Sequence, residues 1–255
     1  MSEKKILISQ SDNDTLHAVH YLSRGEYSST DEKRLPFVIL CHGFTGDKSE
    51  WGRFPKTAKA LNKAGFDALI FDFSGSGENE REFITLSKQA NDLENVYLWA
   101  KNQGYSWIAA IGLSFGGLTL LVANLPDIKT LVFWAPAFHL KNMFSPRAEE
   151  NLKKKPLSLP SSGKGEPIKI NNTFVDDINL YDPSEYLQKL STPALIVQGT
   201  KDRAVRPRNT REAFKLLPHD DHHKLIEIEK AGHDFDGEHL TEFIDVTLNW
   251  LKNYH

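Results

Sequence analysis

Cysteine is almost absent from this chain of 255 residues: Cys41 is the single one, so no disulfide can form within the chain. Long apolar runs are also missing, since no stretch approaches the roughly 20 residues that span a bilayer. The start of the chain lacks the apolar segment of a secretory signal peptide. The sequence therefore predicts a cytoplasmic protein without a membrane partner.

An excess of either charge is lacking too, because 31 basic residues stand against 34 acidic ones and the formal net charge is −3. Without a positive field to attract phosphates, nucleic acid is not expected as a partner. A complete dinucleotide loop is also missing. Gly75-Ser76-Gly77 follows a predicted strand, but Glu80 stands where a third glycine is required. We expect no cofactor.

Short apolar runs alternate with longer amphipathic stretches from about residue 36, which is typical of parallel strands joined by helices. With an N-terminal antiparallel hairpin, the predicted strands are 4–9, 15–22, 37–41, 68–73, 107–112, 130–134, 194–198 and 223–228. Apolar residues at three- and four-residue spacing predict helices at 51–64, 85–102, 115–125, 210–217 and 238–252. The predicted fold class is α/β, with an eight-stranded, mostly parallel sheet flanked by helices.

Residues 136–185 break this alternation with short, weakly periodic pieces rich in proline, glycine and lysine. An excursion of some 50 residues between two core strands is longer than an ordinary connection, and such segments usually serve as lids or binding loops. We predict a core formed by 1–135 and 186–255 with a lid inserted at 136–185. A surface insertion without a role is the alternative.

The pentapeptide Gly112-Leu113-Ser114-Phe115-Gly116 lies where a predicted strand meets a predicted helix. A serine on so sharp a turn crowds the residues two before and two after it, which gives glycine at both positions a steric reason. This pattern is typical of a nucleophile elbow, so Ser114 is the predicted nucleophile. A structural serine that caps the helix is the alternative.

A serine hydroxyl needs a base within hydrogen-bond reach and a carboxylate that orients the base. Asp202 follows a buried predicted strand and His233 follows the last one, so both are expected at the sheet edge that carries Ser114. The chain order Ser, Asp, His is the order expected for an elbow on a doubly wound sheet. Asp176 and Asp182 remain alternatives for the carboxylate.

The turn His42-Gly43-Phe44-Thr45-Gly46 follows another predicted strand. Acyl transfer needs donors for a developing oxyanion, and the backbone N–H groups of Phe44 and Phe115 are predicted to supply them. His42 is expected to pack beneath the turn. Candidate residues for an acyl pocket, with plain core packing as the alternative, are Trp134, Phe138, Phe144 and Val205.

The segment 218–223 holds three histidines and two aspartates, the residue types that ligate metals. It precedes a predicted strand, which puts it at the sheet edge opposite Ser114. We interpret it as a solvated loop and predict no metal site.

These motifs resemble the α/β-hydrolase superfamily from about residue 15 to the end of the chain. The turn at 42–46, the loop Asp72-Phe73-Ser74-Gly75-Ser76-Gly77, Ala135-Pro136-Ala137 and the insertion resemble small bacterial and archaeal carboxylesterases that include cinnamoyl (feruloyl) esterases. The resemblance implies a serine hydrolase acting on small esters through an acyl-enzyme, with a lid that covers the acyl pocket and contacts a phenolic acid.

Other activities use the same machinery. Thioesterases, monoacylglycerol lipases and peptidases cleave activated acyl groups with the same triad, so they remain alternatives. A non-catalytic ligand-binding protein on this fold is an alternative from a different class. The sequence leaves open whether the chain forms a homodimer.

Overall fold

The computed structural model describes residues 2–10, 14–24, 34–139, 145–161, 163 and 165–255. Within these residues, the strands of the main sheet are β1 (Ser2–Ser9), β2 (Thr15–Leu22), β3 (Phe37–Cys41), β4 (Asp67–Phe71), β5 (Ile108–Leu113), β6 (Thr130–Trp134), β9 (Ala194–Gly199) and β10 (His223–Ile228). Two short strands, β7 (Leu157–Leu159) and β8 (Ile168–Ile170), pair as a separate antiparallel hairpin.

The eight strands of the main sheet lie in the order β1-β2-β4-β3-β5-β6-β9-β10. The pairs β1–β2 and β2–β4 are antiparallel, and every other neighbouring pair is parallel. Strands β3, β4, β5 and β6 are buried along their whole length, which explains their continuous apolar sequences. The predicted α/β class, hairpin and mostly parallel sheet are confirmed.

Helices cover both faces of the sheet. They are α1 (Arg53–Lys63), α2 (Leu86–Asn102), α3 (Phe115–Val122), α4 (Pro146–Lys154), α5 (Asn172–Ile178), α6 (Pro183–Lys189), α7 (Pro207–Phe214) and α8 (Glu238–Asn253). Helices α2 and α3 pack over one apolar core, whereas α1 and α8 pack over the other. In the described part of the chain, no helix is both long and apolar enough to cross a membrane.

Two helix starts differ from the sequence-based prediction by more than one residue. The first helix begins at Arg53 rather than at Trp51, because Trp51 and Gly52 adopt positive φ angles of 54° and 87° that a right-handed helix cannot contain. The seventh begins at Pro207 rather than at Thr210, since proline suits the first turn of a helix, where an N–H has no partner.

The inserted segment is fastened to the core near the start of α2. The Ile84 N–H donates to the Lys169 carbonyl (3.2 Å), and the Ser87 N–H donates to the Asp177 carboxylate (2.9 Å). Helix α6, which contains the predicted boundary at residue 185, packs against α3 and α7.

Candidate active site

Ser114 is the single residue between the end of β5 and the start of α3. Its backbone angles, φ 53° and ψ −115°, lie where non-glycine residues are rarely found. A Cβ at Gly112 would collide with the backbone of Gly116, and a Cβ at Gly116 would collide with the carbonyl oxygens of Cys41 and His42. The sharp turn and its two glycines therefore depend on each other, as the sequence pattern predicts.

His233 and Asp202 are joined by a hydrogen bond of 2.7 Å between Nδ1 and Oδ2. Asp202 is 4% exposed, and its other oxygen accepts from the N–H groups of Ala204 (2.9 Å) and Val205 (2.8 Å). The Gln198 amide donates to Oδ2 as well, at 3.2 Å. These donors fix the carboxylate, and the carboxylate in turn fixes the orientation of the imidazole.

Ser114 and His233 line one cavity of about 150 Å³ at the carboxyl-terminal edge of the sheet. The other lining residues are Gly43, Phe44, Thr45, Glu50, Trp51, Arg53, Leu113 and Asp234. Among Ser114, Asp202 and His233, the hydrogen bond that the structure describes joins His233 to Asp202. The bond from a nucleophile to its base often tightens only when substrate is bound.

The two predicted alternatives for the carboxylate lie elsewhere. Asp176 is exposed on α5 and accepts from the Asn172 side chain (3.3 Å). Asp182 caps α6 by accepting from the Ser184 N–H (3.1 Å). The partner of the imidazole is Asp202.

The turn after β3 brings Phe44 beside Phe115, with ring centroids 5.6 Å apart. His42 supports this turn: its Nδ1 donates to the Gly43 carbonyl (2.9 Å), and its Nε2 accepts from the Phe73 N–H (3.1 Å). The expectation that His42 packs beneath the turn is confirmed. Among the described residues, neither the Phe44 nor the Phe115 N–H donates to a protein acceptor.

A buried ion pair, which the sequence analysis did not identify, forms another wall of the cavity. Glu50 and Arg53 are 6% and 8% exposed, and Glu50 Oε2 lies 2.6 Å from Arg53 Nη2. Glu50 Oε1 accepts from the Gly43 N–H (2.7 Å), while Arg53 Nη1 donates to the Asp234 carbonyl (2.8 Å). The pair thus connects the turn that carries Phe44 with the loop that carries His233.

Trp134 does not line this cavity. Its side chain is 0% exposed, its indole N–H donates to the Thr247 hydroxyl (2.9 Å), and its ring packs against Phe235 and Phe243. Trp134 is a core residue on the α8 side of the sheet, so the prediction that it lines an acyl pocket is wrong.

The other predicted pocket residues have different surroundings. Phe138 is 3% exposed and packs on Phe133, with centroids 5.2 Å apart, so it too belongs to the core. Val205 is half-buried in the turn that holds Asp202. Phe144 lies outside the described residues.

Residues of the predicted insertion contact the same turn. The ring of Phe174 in α5 lies 5.4 Å from that of Phe44 and 5.8 Å from that of Phe115. The Ser161 hydroxyl donates to the Thr45 carbonyl (3.3 Å). Phe174 and Ser161, both in the predicted insertion, therefore contact the turn that carries Phe44.

The histidine-rich segment 218–223 is at the far edge of the sheet, because His223 is the first residue of β10. Asp220 Oδ1 lies 3.7 Å from His223 Nε2. In the part of the chain that the structure describes, no group of three or more histidine, cysteine or acidic side chains is arranged to hold a metal ion.

The chain belongs to the α/β-hydrolase family described as "Serine aminopeptidase, S33", which it matches over residues 32–174. One similar solved structure is "Ferulic Acid bound to Est1E from Butyrivibrio proteoclasticus", with a TM-score of 0.81 and 24% identity over 98% of each chain. At that identity the likeness shows the fold.

Two relatives by sequence match a smaller share of this chain. A carboxylesterase of Bacillus subtilis is 24% identical over 237 residues, which cover 84% of this chain and 93% of the relative. The "Uncharacterized 31.7 kDa protein in traX-finO intergenic region" of Escherichia coli is 36% identical over 97 residues, 36% of this chain and 33% of that protein. The match thus spans about a third of the latter's length. The chain is an α/β hydrolase distantly related to carboxylesterases.

Proposed function

We propose that this protein is a serine carboxylesterase in which Ser114 is the nucleophile, His233 the base and Asp202 the residue that orients the base. The observation that carries the proposal is that Ser114 and His233 share a cavity while His233 is bonded to a buried, fully hydrogen-bonded Asp202. His233 takes the proton of Ser114 as the oxygen attacks the ester carbonyl, and it returns a proton to the departing alcohol. Water then releases the acid by the reverse sequence.

The Phe44 and Phe115 N–H groups form the proposed oxyanion hole. Their lack of protein acceptors among the described residues supports this role, and α3 directs the positive end of its dipole toward the same point. One such donor typically contributes about 3 kcal/mol to transition-state stabilisation.

The proposed substrates are small esters, with hydroxycinnamoyl (feruloyl) esters as the finer candidate. A cavity of about 150 Å³ is the size that accepts a single aromatic ring. The similar structure from Butyrivibrio proteoclasticus is described with ferulic acid bound. We propose that residues 136–185 act as a lid and that Phe174, which packs on Phe44 and Phe115, limits the acyl side.

An aminopeptidase is the second candidate, because the matching family carries that description. Such an enzyme needs an anion for the substrate ammonium group. Two carboxylates line the cavity, and both face the Arg53 guanidinium: Glu50 Oε2 lies 2.6 Å from Nη2 and Asp234 Oδ1 lies 4.0 Å from Nη1. This positive charge favours a neutral ester over a cationic aminoacyl substrate.

The test compares the parent protein with Ser114→Ala on p-nitrophenyl acetate, methyl ferulate and an aminoacyl anilide. We expect turnover of the esters by the parent, a loss of at least about 10⁴-fold in the variant, and labelling of the parent alone by a fluorophosphonate. Circular dichroism checks that the variant is folded. Equal turnover by the two proteins, or preferred cleavage of the anilide, would contradict the proposal.

A further inference from the structure

Trp51 is a large apolar side chain that the proposed chemistry leaves unused. It is 62% exposed, yet it lines the same cavity as Ser114 and His233. Burial of an indole is strongly favourable, so an indole held in solvent at the mouth of a cavity is a candidate contact for a ligand.

The backbone presents this indole by an uncommon conformation. Glu50, Trp51 and Gly52 have successive φ angles of 42°, 54° and 87°, although only the last of them is glycine. Left-handed backbone at a non-glycine residue is strained and persists where the surroundings enforce it, often at functional sites. Here Glu50 and Arg53, which flank Trp51 and Gly52, are held together by the buried ion pair.

Arg53 also fixes the ring itself and places it relative to the imidazole. The guanidinium carbon lies 5.0 Å from the centre of the Trp51 ring, within the range of a cation–π interaction. The same guanidinium donates to the carbonyl of Asp234, the residue after His233. Through Arg53, the indole of Trp51 is linked to the loop that carries His233.

We infer that Trp51 forms a subsite for the alcohol portion of the ester and that this subsite takes a flat, aromatic leaving group. The imidazole protonates the departing oxygen, so the alcohol lies beside His233, while the Phe44 and Phe115 N–H groups face the carbonyl oxygen. An aromatic ring on the alcohol stacks on the indole, whereas a ring on the acid does not reach it. This inference rests on the proposed esterase activity.

The experiment measures kcat/KM of the parent and Trp51→Ala for ethyl acetate, benzyl acetate and methyl phenylacetate. The first two share an acid and differ in the alcohol, and the third carries its ring on the acid. We expect a loss of about three- to tenfold for benzyl acetate, mainly through KM, and no change for the other two. Trp51→Phe is expected to retain most of the preference.

Each outcome separates the two proposals. If the parent hydrolyses no ester, the proposed function fails. If the parent is active but Trp51→Ala affects all three esters equally, or none of them, the alcohol subsite is overturned while the esterase assignment stands. A loss confined to methyl phenylacetate would move the subsite to the acyl side and would also overturn the inference.

Discussion

The two edges of the sheet each hold a buried carboxylate linked to an imidazole, but only one edge has the features of an active site. At the carboxyl-terminal edge, Asp202 bonds directly to His233 (2.7 Å). At the amino-terminal edge, Asp67 accepts from the Tyr105 hydroxyl (2.9 Å), which is bonded in turn to His20 Nε2 (3.0 Å). Hydrogen-bonded acid and imidazole groups alone therefore do not identify a catalytic centre.

The difference lies in what surrounds the imidazole. His20 is enclosed by Phe37, Trp99 and Tyr105, with ring centroids 5.4–6.0 Å away, and burial lowers its pKa to about 4. His233 instead opens into the cavity that contains Ser114, and its side chain is 25% exposed. An imidazole that must exchange protons with a substrate needs this access, whereas one that stabilises the fold does not.

The largest effect is expected from replacing the carboxylate at each edge, which tests whether the two edges differ in function. Asp202→Asn is expected to lower kcat by about 10⁴-fold, because an amide cannot hold the imidazole in the required tautomer. Asp67→Asn is the matched control, with kcat within about twofold and a loss of about 1–3 kcal/mol in the free energy of unfolding. Steady-state kinetics and urea titrations measure both. Similar effects on kcat would mean that the two edges do not differ in function.

The next largest expected effect is a loss of folding stability at low pH that is caused by His20. The pKa of His20 is about 4 in the folded protein, against an ordinary value of 6.5 for a solvated histidine, so folding disfavours its protonated form. The stability it contributes is present above pH 6.5 and is lost as pH falls through 6.5 toward 4, by at most about 3 kcal/mol.

His20→Gln removes the titrating ring and isolates this contribution. The free energy of unfolding is measured at pH 7.5 and pH 4.5 for both proteins. We expect the parent to lose more stability than the variant between these two values. Equal losses in the two proteins would show that His20 is not held neutral by its surroundings.

Much of the fold and the three proposed triad residues could be predicted from the sequence, because each depends on local pattern. Fully buried strands need continuous apolar runs, and the elbow needs glycine on both sides of Ser114. The surroundings of Trp134 could also have been predicted from strand alternation. Trp134 lies two residues after Val132, so both point to the α8 face of the sheet, away from the Phe133 side where Phe138 packs.

The Glu50–Arg53 pair could not be predicted in the same way. A glutamate three residues before an arginine is ordinary on an exposed helix, and the segment from Trp51 onward fits a helical pattern. Its burial depends on the left-handed turn at Glu50, Trp51 and Gly52, and on two distant partners at Gly43 and Asp234. No residue spacing within the segment indicates those contacts.

Glu50→Gln is expected to have a smaller effect than Asp202→Asn, and it tests how the carboxyl-terminal edge positions its imidazole. Glutamine can still accept from the Gly43 N–H, but it removes the charge that holds Arg53, and Arg53 holds the loop of His233 through Asp234. We expect kcat to fall about tenfold with KM unchanged, because small misplacements of catalytic groups reduce the chemical step. The control is Glu212→Gln, which breaks the exposed pair with Arg208 and should leave kcat unchanged, since such pairs contribute little. If Glu50→Gln alters KM alone, the pair shapes the binding cavity and does not position the imidazole.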